Sequence, residues 1–355
     1  MDGHDPKCAT FRALPFSSNG LAYLNDEQAR TLSNVEVHQG DILLNITGDS
    51  VARACIVPSD VIPARVNQHV AILRPKEKAN ATFILAWLQT NKDLLLKLAS
   101  SGATRNALTK RMLEGLDINL PSIDIQNHIA ALISLIQSKI NLNIKLNGYL
   151  LELATTRFEQ ALFKSNRVVR LGDIVKLEDS KRVPLNSRDR DARKGPYPYY
   201  GATSIMDYVD DYLFDGIRVL LGEDGSVIDE SGRPILQYVW GKYWVNNHAH
   251  ILAAASDYSL EAIYIALQRT PISHIVTGAV QRKISQRNLN KLKLEMPDAK
   301  SLEYLQDIFA AYRCNCEENR GLVSLRDALL PKLMSGEIDV SKIDVAQLNS
   351  HLAEY

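Results

Sequence analysis

Arg105 and Arg282 carry chemistry that can be read directly from residue type. A guanidinium pairs bidentately with guanine, and an Asn or Gln amide with adenine, each discriminating by about 1–3 kcal/mol in the DNA major groove. Thr104-Arg105-Asn106 follows Gly102-Ala103, and Gln281-Arg282-Lys283 follows Gly278-Ala279-Val280. Both sets therefore stand just beyond a flexible glycine. Lys110 and Arg111 extend the first basic cluster; Arg287, Lys291 and Lys293 extend the second. Asn45, Thr47, Tyr200, Thr203, Asp224 and Ser226 occupy other turn-rich segments from which polar side chains could reach DNA. The competing reading of the basic clusters is a solvated face on a turn and helix.

Catalytic chemistry finds less support. His69 and His248 follow Asn67-Gln68 and Asn246-Asn247 just ahead of apolar runs. A general base would need a nucleophile recurring beside both, and none does, so they read as hydrogen-bonders that order a turn. Gly222-Glu223-Asp224-Gly225 has neither Gly-x-Gly-x-x-Gly nor Gly-Lys-Ser/Thr, and is no phosphate loop. The Asn/Asp-Pro-Pro-aromatic motif of amino-methyltransferases is missing. Asp179-Ser180-Lys181 has a nuclease-like acidic-x-Lys spacing but no second acid in a strand ahead of it. No Cys/His set has zinc spacing. We expect no catalytic residue, no metal site and no cofactor on this chain; an enzyme with an unrecognised site in its C-terminal half stays open as a reading.

What must position these residues is duplicated. Ser101-Gly102-Ala103, Leu108-Thr109, Leu113, Leu116 and Leu120-Pro121 recur as Thr277-Gly278-Ala279, Ile284-Ser285, Leu289, Leu292 and Met296-Pro297, all at an offset of 176. Val66-Asn67-Gln68-His69 recurs as Val245-Asn246-Asn247-His248 at 179. Short apolar runs predict strands over 41–46 and 70–73 in the first copy, and over 217–221, 235–239 and 249–253 in the second. Helices are predicted over 82–100 and 259–268. The heads are thus α+β. Tyr23 answers to Tyr199 at offset 176, but the counterpart of Leu171 would precede residue 1, so the first head's opening strand is expected to be missing.

A long helical pattern follows each head. Ile129, Ile133, Ile136 and Ile140 recur in alternating four- and three-residue steps, and Leu305, Phe309, Tyr312 and Leu330 keep the same register. This is the apolar seam of a coiled coil, and Asn143 and Asn319 occupy equivalent seam positions, where a buried amide fixes register. A first helix of about 38 residues spans roughly 57 Å. Two such helices pairing antiparallel would hold two heads apart, which suits reading separated patches of something extended. The alternative is two amphipathic helices that each pack on their own head. Expected boundaries are 1–123 and 166–300 for the heads, 124–165 and 301–338 for the helices, and 339–355 for a tail.

The 355 residues carry 41 basic and 41 acidic side chains. Balance argues against a stand-alone nucleic-acid binder, although local charge is what matters. No apolar run approaches the roughly 20 residues needed to span a bilayer, and the start resembles no signal peptide. Four scattered cysteines, Cys8, Cys55, Cys314 and Cys316, fit a reducing cytoplasm.

The layout resembles the specificity subunit of type I restriction–modification systems. The residues that carry the resemblance run from Gly40-Asp41-Ile42-Leu43-Leu44-Asn45 through Thr47-Gly48-Asp49-Ser50, then Asn67-Gln68-His69-Val70 and Ser101-Gly102-Ala103-Thr104-Arg105-Asn106. In the second head they are Leu171-Gly172-Asp173-Ile174, Pro198-Tyr199-Tyr200-Gly201-Ala202, Tyr208-Val209-Asp210-Asp211-Tyr212 and Glu223-Asp224-Gly225-Ser226, with Leu329-Leu330-Pro331-Lys332-Leu333 in the tail. The resemblance implies a non-catalytic chain with two target-recognition domains, each reading half of a bipartite site on double-stranded DNA. It implies that the helices, through Ile129, Ile133, Ile136, Ile140, Leu305, Phe309, Tyr312 and Leu330, set the spacing and dock two adenine-methylating subunits. Restriction and translocation subunits would join them, and S-adenosylmethionine, ATP and Mg would belong to those partners. The alternative is a scaffold whose two heads bind protein.

Overall fold

A computed structural model of the chain describes residues 21–100, 106–278 and 281–343. It is a mixed α+β protein whose described residues divide into two compact units, Asn143–Glu318 and, discontinuously, 21–142 with 319–343. The division cuts both long helices, Ile123–Lys164 and Tyr304–Ser335. The predicted central helix therefore exists and runs 42 residues.

In the discontinuous unit, a three-stranded antiparallel sheet has the order Ala54–Ile56, Ile42–Asn45, Val70–Leu73. Ile42 and Leu44 point into the core, as the period of two requires. They meet Leu88, Leu95, Ala99 and Leu108 from the helical side. The single helix expected over 82–100 is two, Ala81–Thr90 and Lys92–Ser100. Asn91 makes the break: its backbone N–H and its Nδ2 both donate to the Trp87 carbonyl at 2.9 Å. An Asn side chain that satisfies the last carbonyls offers the backbone a way out of the helix.

In that same unit Ile129, Leu132 and Ile133 pack with Leu330 and Leu333. Asn319 Nδ2 donates to the Ile140 carbonyl at 3.4 Å, and Arg326 Nη1 to Gln137 Oε1 at 3.1 Å. Higher numbers on one helix meet lower numbers on the other, so the segments are antiparallel.

The other unit holds the second head. Its main sheet is four-stranded and antiparallel, in the order Leu236–Val239, Arg218–Gly222, Ala249–Ala254, Val175–Leu177. Helix Leu260–Arg269 packs on it, capped by Ser259 Oγ accepting from the Ala262 N–H. A second sheet, in the order Phe214–Asp215, Lys242–Val245, Lys194–Tyr200, Ile205–Val209, was not predicted. Strand Arg167–Arg170 pairs with Lys293–Met296. Here too the helices run antiparallel: Asn143 Nδ2 donates to Glu318 Oε2 at 2.7 Å, and Asn147 Nδ2 reaches Cys316 Sγ at 3.2 Å.

The expected match of Tyr23 to Tyr199 fails in the structure. Tyr23 is 95% exposed whereas Tyr199 is 1% exposed in the second sheet's core. Residues 117–120, which align with strand Lys293–Met296, form no strand, and Leu120 is 41% exposed where Met296 is buried.

Candidate nucleic-acid interface

Each head builds the same junction from its middle strand, the His-bearing turn and the segment ahead of a short helix. In the first, the Ile46 N–H donates to the His69 carbonyl at 2.9 Å, the Gly48 N–H to the Asn106 carbonyl at 3.3 Å, and the Leu108 N–H to the Ile46 carbonyl at 2.8 Å. In the second, the Glu223 N–H donates to the His248 carbonyl at 2.8 Å, the Gly225 N–H to the Arg282 carbonyl at 3.0 Å, and the Ile284 N–H to the Glu223 carbonyl at 2.9 Å. Gly48 and Gly225 take equivalent left-handed conformations, φ +71° and +80°, which a side chain at either position would resist.

Histidine closes both junctions. Asn67 Oδ1 accepts from the His69 N–H at 3.0 Å, and Asn246 Oδ1 from the His248 N–H at 2.8 Å. The His69 Nδ1 shares a 2.7 Å hydrogen bond with Thr47 Oγ1. The His248 Nδ1 lies 2.6 Å from Asp224 Oδ1. The turn-ordering role expected of both histidines is what the geometry has. Directly beyond, Thr109 and Ser285 cap the short helices Lys110–Glu114 and Gln286–Asn290.

Most of the predicted contact residues gather here. Asn45 ends the strand, Thr47 bridges to Ala107, and exposed Asn106 and Lys110 follow. Asp224 bridges to Lys283, with Ser226, Gln281 and Arg282 exposed alongside. Thr203, Asp224 and His248 line one open depression of about 290 Å³, together with Ser204 and Met206. Thr104 and Arg105 lie outside the described residues. Lys110 pairs with Glu114 at 3.6 Å and Lys283 with Glu223 at 3.3 Å. The Lys110–Glu114 pair is exposed on both sides and holds its charges by at most about 1 kcal/mol, so that ammonium group can exchange to a phosphate. Lys283 is half exposed, but its partner Glu223 is only 14% exposed and is also held by Arg182.

Tyr200 is a correction. It is fully buried, its ring set edge-on to Tyr243 at 5.7 Å, and it serves the core of the second sheet. It looked polar and turn-bound because Gly201 follows it, yet the strand ends on it. The expected docking residues need a similar correction. Ile129, Ile133, Ile136, Ile140, Leu305, Phe309, Tyr312 and Leu330 are all buried between the helices and their neighbours. A seam residue is consumed by pairing and has no surface left for a third chain. The apolar side chains of the central helix that do face outward include Ile144, Leu146, Tyr149 and Leu153.

Behind the second junction lies a charge network that sequence reasoning missed. Asp179, Glu223 and His250 bring ligand-type atoms within 4.8 Å of one another. They are committed to other partners. His250 Nδ1 faces Asp179 Oδ2 at 2.6 Å and its Nε2 faces the Ile284 carbonyl at 2.8 Å, so neither ring nitrogen presents a lone pair to a cation. Arg182 Nη1 donates to Glu223 Oε2 at 2.6 Å, and Gln286 Nε2 to Asp179 Oδ2 at 2.6 Å. Burial pushes the Asp179 and Glu223 carboxyls up, but His250 for the one and Arg182 for the other outweigh it, and both stay below their ordinary range. The network clamps the middle strand and Ala249–Ala254 to the segment that carries Arg282. The acidic-x-Lys spacing at Asp179 thus belongs to this clamp. No local pattern announces it, because its members are scattered over more than 100 residues.

The described residues thus hold a duplicated α+β head, a long helix after each copy, and polar side chains at matching junctions. The chain matches the type I restriction modification DNA specificity domain over residues 14–150 and again over 164–312, and it belongs to that family. It is 30% identical over 127 residues to a type I restriction enzyme specificity subunit of Haemophilus influenzae, a match covering 36% of this chain and 32% of that relative. The chain thus spans about a third of that relative's length. It is 23% identical over 323 residues to the MjaIX specificity subunit of Methanocaldococcus jannaschii, covering 79% of this chain and 74% of the other. The crystal structure of an S subunit from M. genitalium shares the fold, with a TM-score of 0.52, 18% identity and coverage of 84% and 83%. Both relatives are named as type I restriction enzyme specificity subunits.

Proposed function

We propose that each head reads one half of a bipartite site on double-stranded DNA, and that the long helices dock two adenine-methylating subunits of a type I complex. Restriction and translocation subunits join that assembly. S-adenosylmethionine, ATP and Mg serve the partners, and the complex works in the cytoplasm, where the DNA is. The observation that carries this reading is the repeated junction. One backbone frame holds Thr47, Asn106 and Lys110 in the first head, and Asp224, Ser226, Arg282 and Lys283 in the second. A fixed frame with exchangeable polar side chains is what base reading requires, since base edges specify and phosphates position. Docking falls to the outward apolar residues Leu146, Tyr149 and Leu153 rather than to the seam. No helix among the described residues is long and apolar enough to cross a membrane.

The test is to map adenine methylation in cells carrying the methylating partner, with and without this chain. A split motif that depends on the chain is expected. Binding of the assembled complex to that motif should weaken by orders of magnitude between about 50 and 200 mM salt. Methylation that is unchanged without the chain would reject the reading.

A further inference from the structure

His248 stands where both heads share a backbone and differ in side-chain chemistry. In the first head the histidine partner is the neutral hydroxyl of Thr47; in the second it is the carboxylate of Asp224. A carboxylate only accepts, so it fixes a proton on Nδ1 and leaves Nε2 as the outward polar atom of the ring. The His248 side chain is 45% exposed at the mouth of the depression. Met206 stands in the same depression with half its surface open. Gly201 leaves room for the thioether against the turn: a Cβ there would meet the Met206 Sδ at 2.6 Å, and the flexible side chain would have to shift. Asn246 ties the two together, accepting from the His248 N–H and reaching the Met206 Sδ with its Nδ2 at 3.2 Å.

We propose that this depression reads one A·T base pair in the major groove. His248 Nε2 accepts from the exocyclic amine of adenine, and the Met206 thioether lies against the thymine methyl. Asp224 is a positioning residue that sets the tautomer. An A·T pair is the one that offers both an amine donor and a methyl group in that groove, and an exposed thioether beside an aromatic acceptor matches this combination. The proposal rests on the heads being DNA readers.

The test assembles the full chain with its methylating partner, methylates a randomised DNA library and reads base preferences at both half-sites. His248→Phe, which keeps the ring but has no acceptor, and Met206→Ala should each lower the preference at one A·T position of a single half-site by about tenfold. Asp224→Ala should do the same, whereas Asp224→Asn, which still accepts from Nδ1–H, should retain it. Met206 is exposed, so its truncation opens no core, and intact preferences at the other half-site show that the variant is folded and assembled. A wild-type assembly without a split motif would remove the reading of the heads. A split motif whose A·T preferences survive both His248→Phe and Met206→Ala would remove the pocket assignment alone.

Discussion

The two heads solve one problem with unequal means. Each hangs the same junction on an antiparallel sheet, three-stranded in the first and four-stranded in the second, with a capped helix and a histidine turn. The second adds a four-stranded sheet packed with Tyr199, Tyr200, Phe214, Tyr243 and Trp244, together with the buried clamp of Asp179, Glu223, His250 and Arg182. In the described residues of the first head, the histidine junction rests on a smaller core, and the ion pairs are separate ones: Asp41 with Arg74, held by two 2.7 Å bonds, Arg65 with Glu36 at 3.1 Å, and the exposed Lys110 with Glu114. Duplication kept the frame, where backbone hydrogen bonds must close. It left free the insert between the strands, where surface and specificity are made. This is the behaviour expected when sites are grafted onto a fold that does not itself dictate them.

The largest break in that symmetry should come from Tyr200→Ala. Emptying a fully buried aromatic site costs about 3–5 kcal/mol. The loss should fall on the second head, measured as faster amide hydrogen exchange in Lys242–Val245, with exchange in Val70–Leu73 unchanged. A DNA contact at Tyr200 would instead leave exchange in the free protein as it was.

Acid should separate the heads next. Hydrogen bonds from Arg74 hold Asp41 below the usual carboxylate range in the first head. In the second, Lys194 lowers Asp207, while burial raises Glu178, Asp179 and Glu223 but Lys181 with Arg218, His250 and Arg182 lower them further. A carboxyl depressed in the folded state stabilises above its unfolded value, about 4, and loses that contribution as pH falls through the folded value. Four such groups against one predict that the second head loses more of its stability than the first as pH falls below about 4. Trp87 reports on the first head, and Trp240 with Trp244 on the second. Fluorescence of a Trp87→Phe chain, compared with one carrying phenylalanine at 240 and 244, resolves them. An equal fall in the urea midpoints of the two heads between about pH 7 and about pH 3 would contradict the comparison.

These differences explain what could be read in advance. Periodicity exposed the strands at 42–45 and 70–73, the helix at 260–269 and the long helices, because each repeats one physical demand along the chain. The offsets of 176 and 179 marked two of the junction's three segments, 106–108 with 282–284 and the histidine turns; the third, 46–48 with 223–225, lies at 177 and shares only its glycine, so it was not legible. Sequence marks a residue as apolar or turn-flanking without saying which surface it meets: Tyr200 reads as a turn residue and is buried in a sheet, whereas Ile129 and Ile133 read as the helix seam and do pack there. Arg326, only 4% exposed at a seam register, resembles a surface cation until Gln137 and Asp327 are seen around it. The second sheet was hidden because Tyr- and Asp-rich runs such as 205–215 lack clean alternation.

The central claim is one head for each half-site. It is tested most directly by amide hydrogen exchange of the assembled complex on duplexes that carry either half-site alone. The account predicts that one duplex protects 45–48 and 106–110 while the other protects 201–206, 223–226 and 281–283, with both sets protected on the full site. Protection of both junctions by a single half-site, or of neither by the full site, would contradict it.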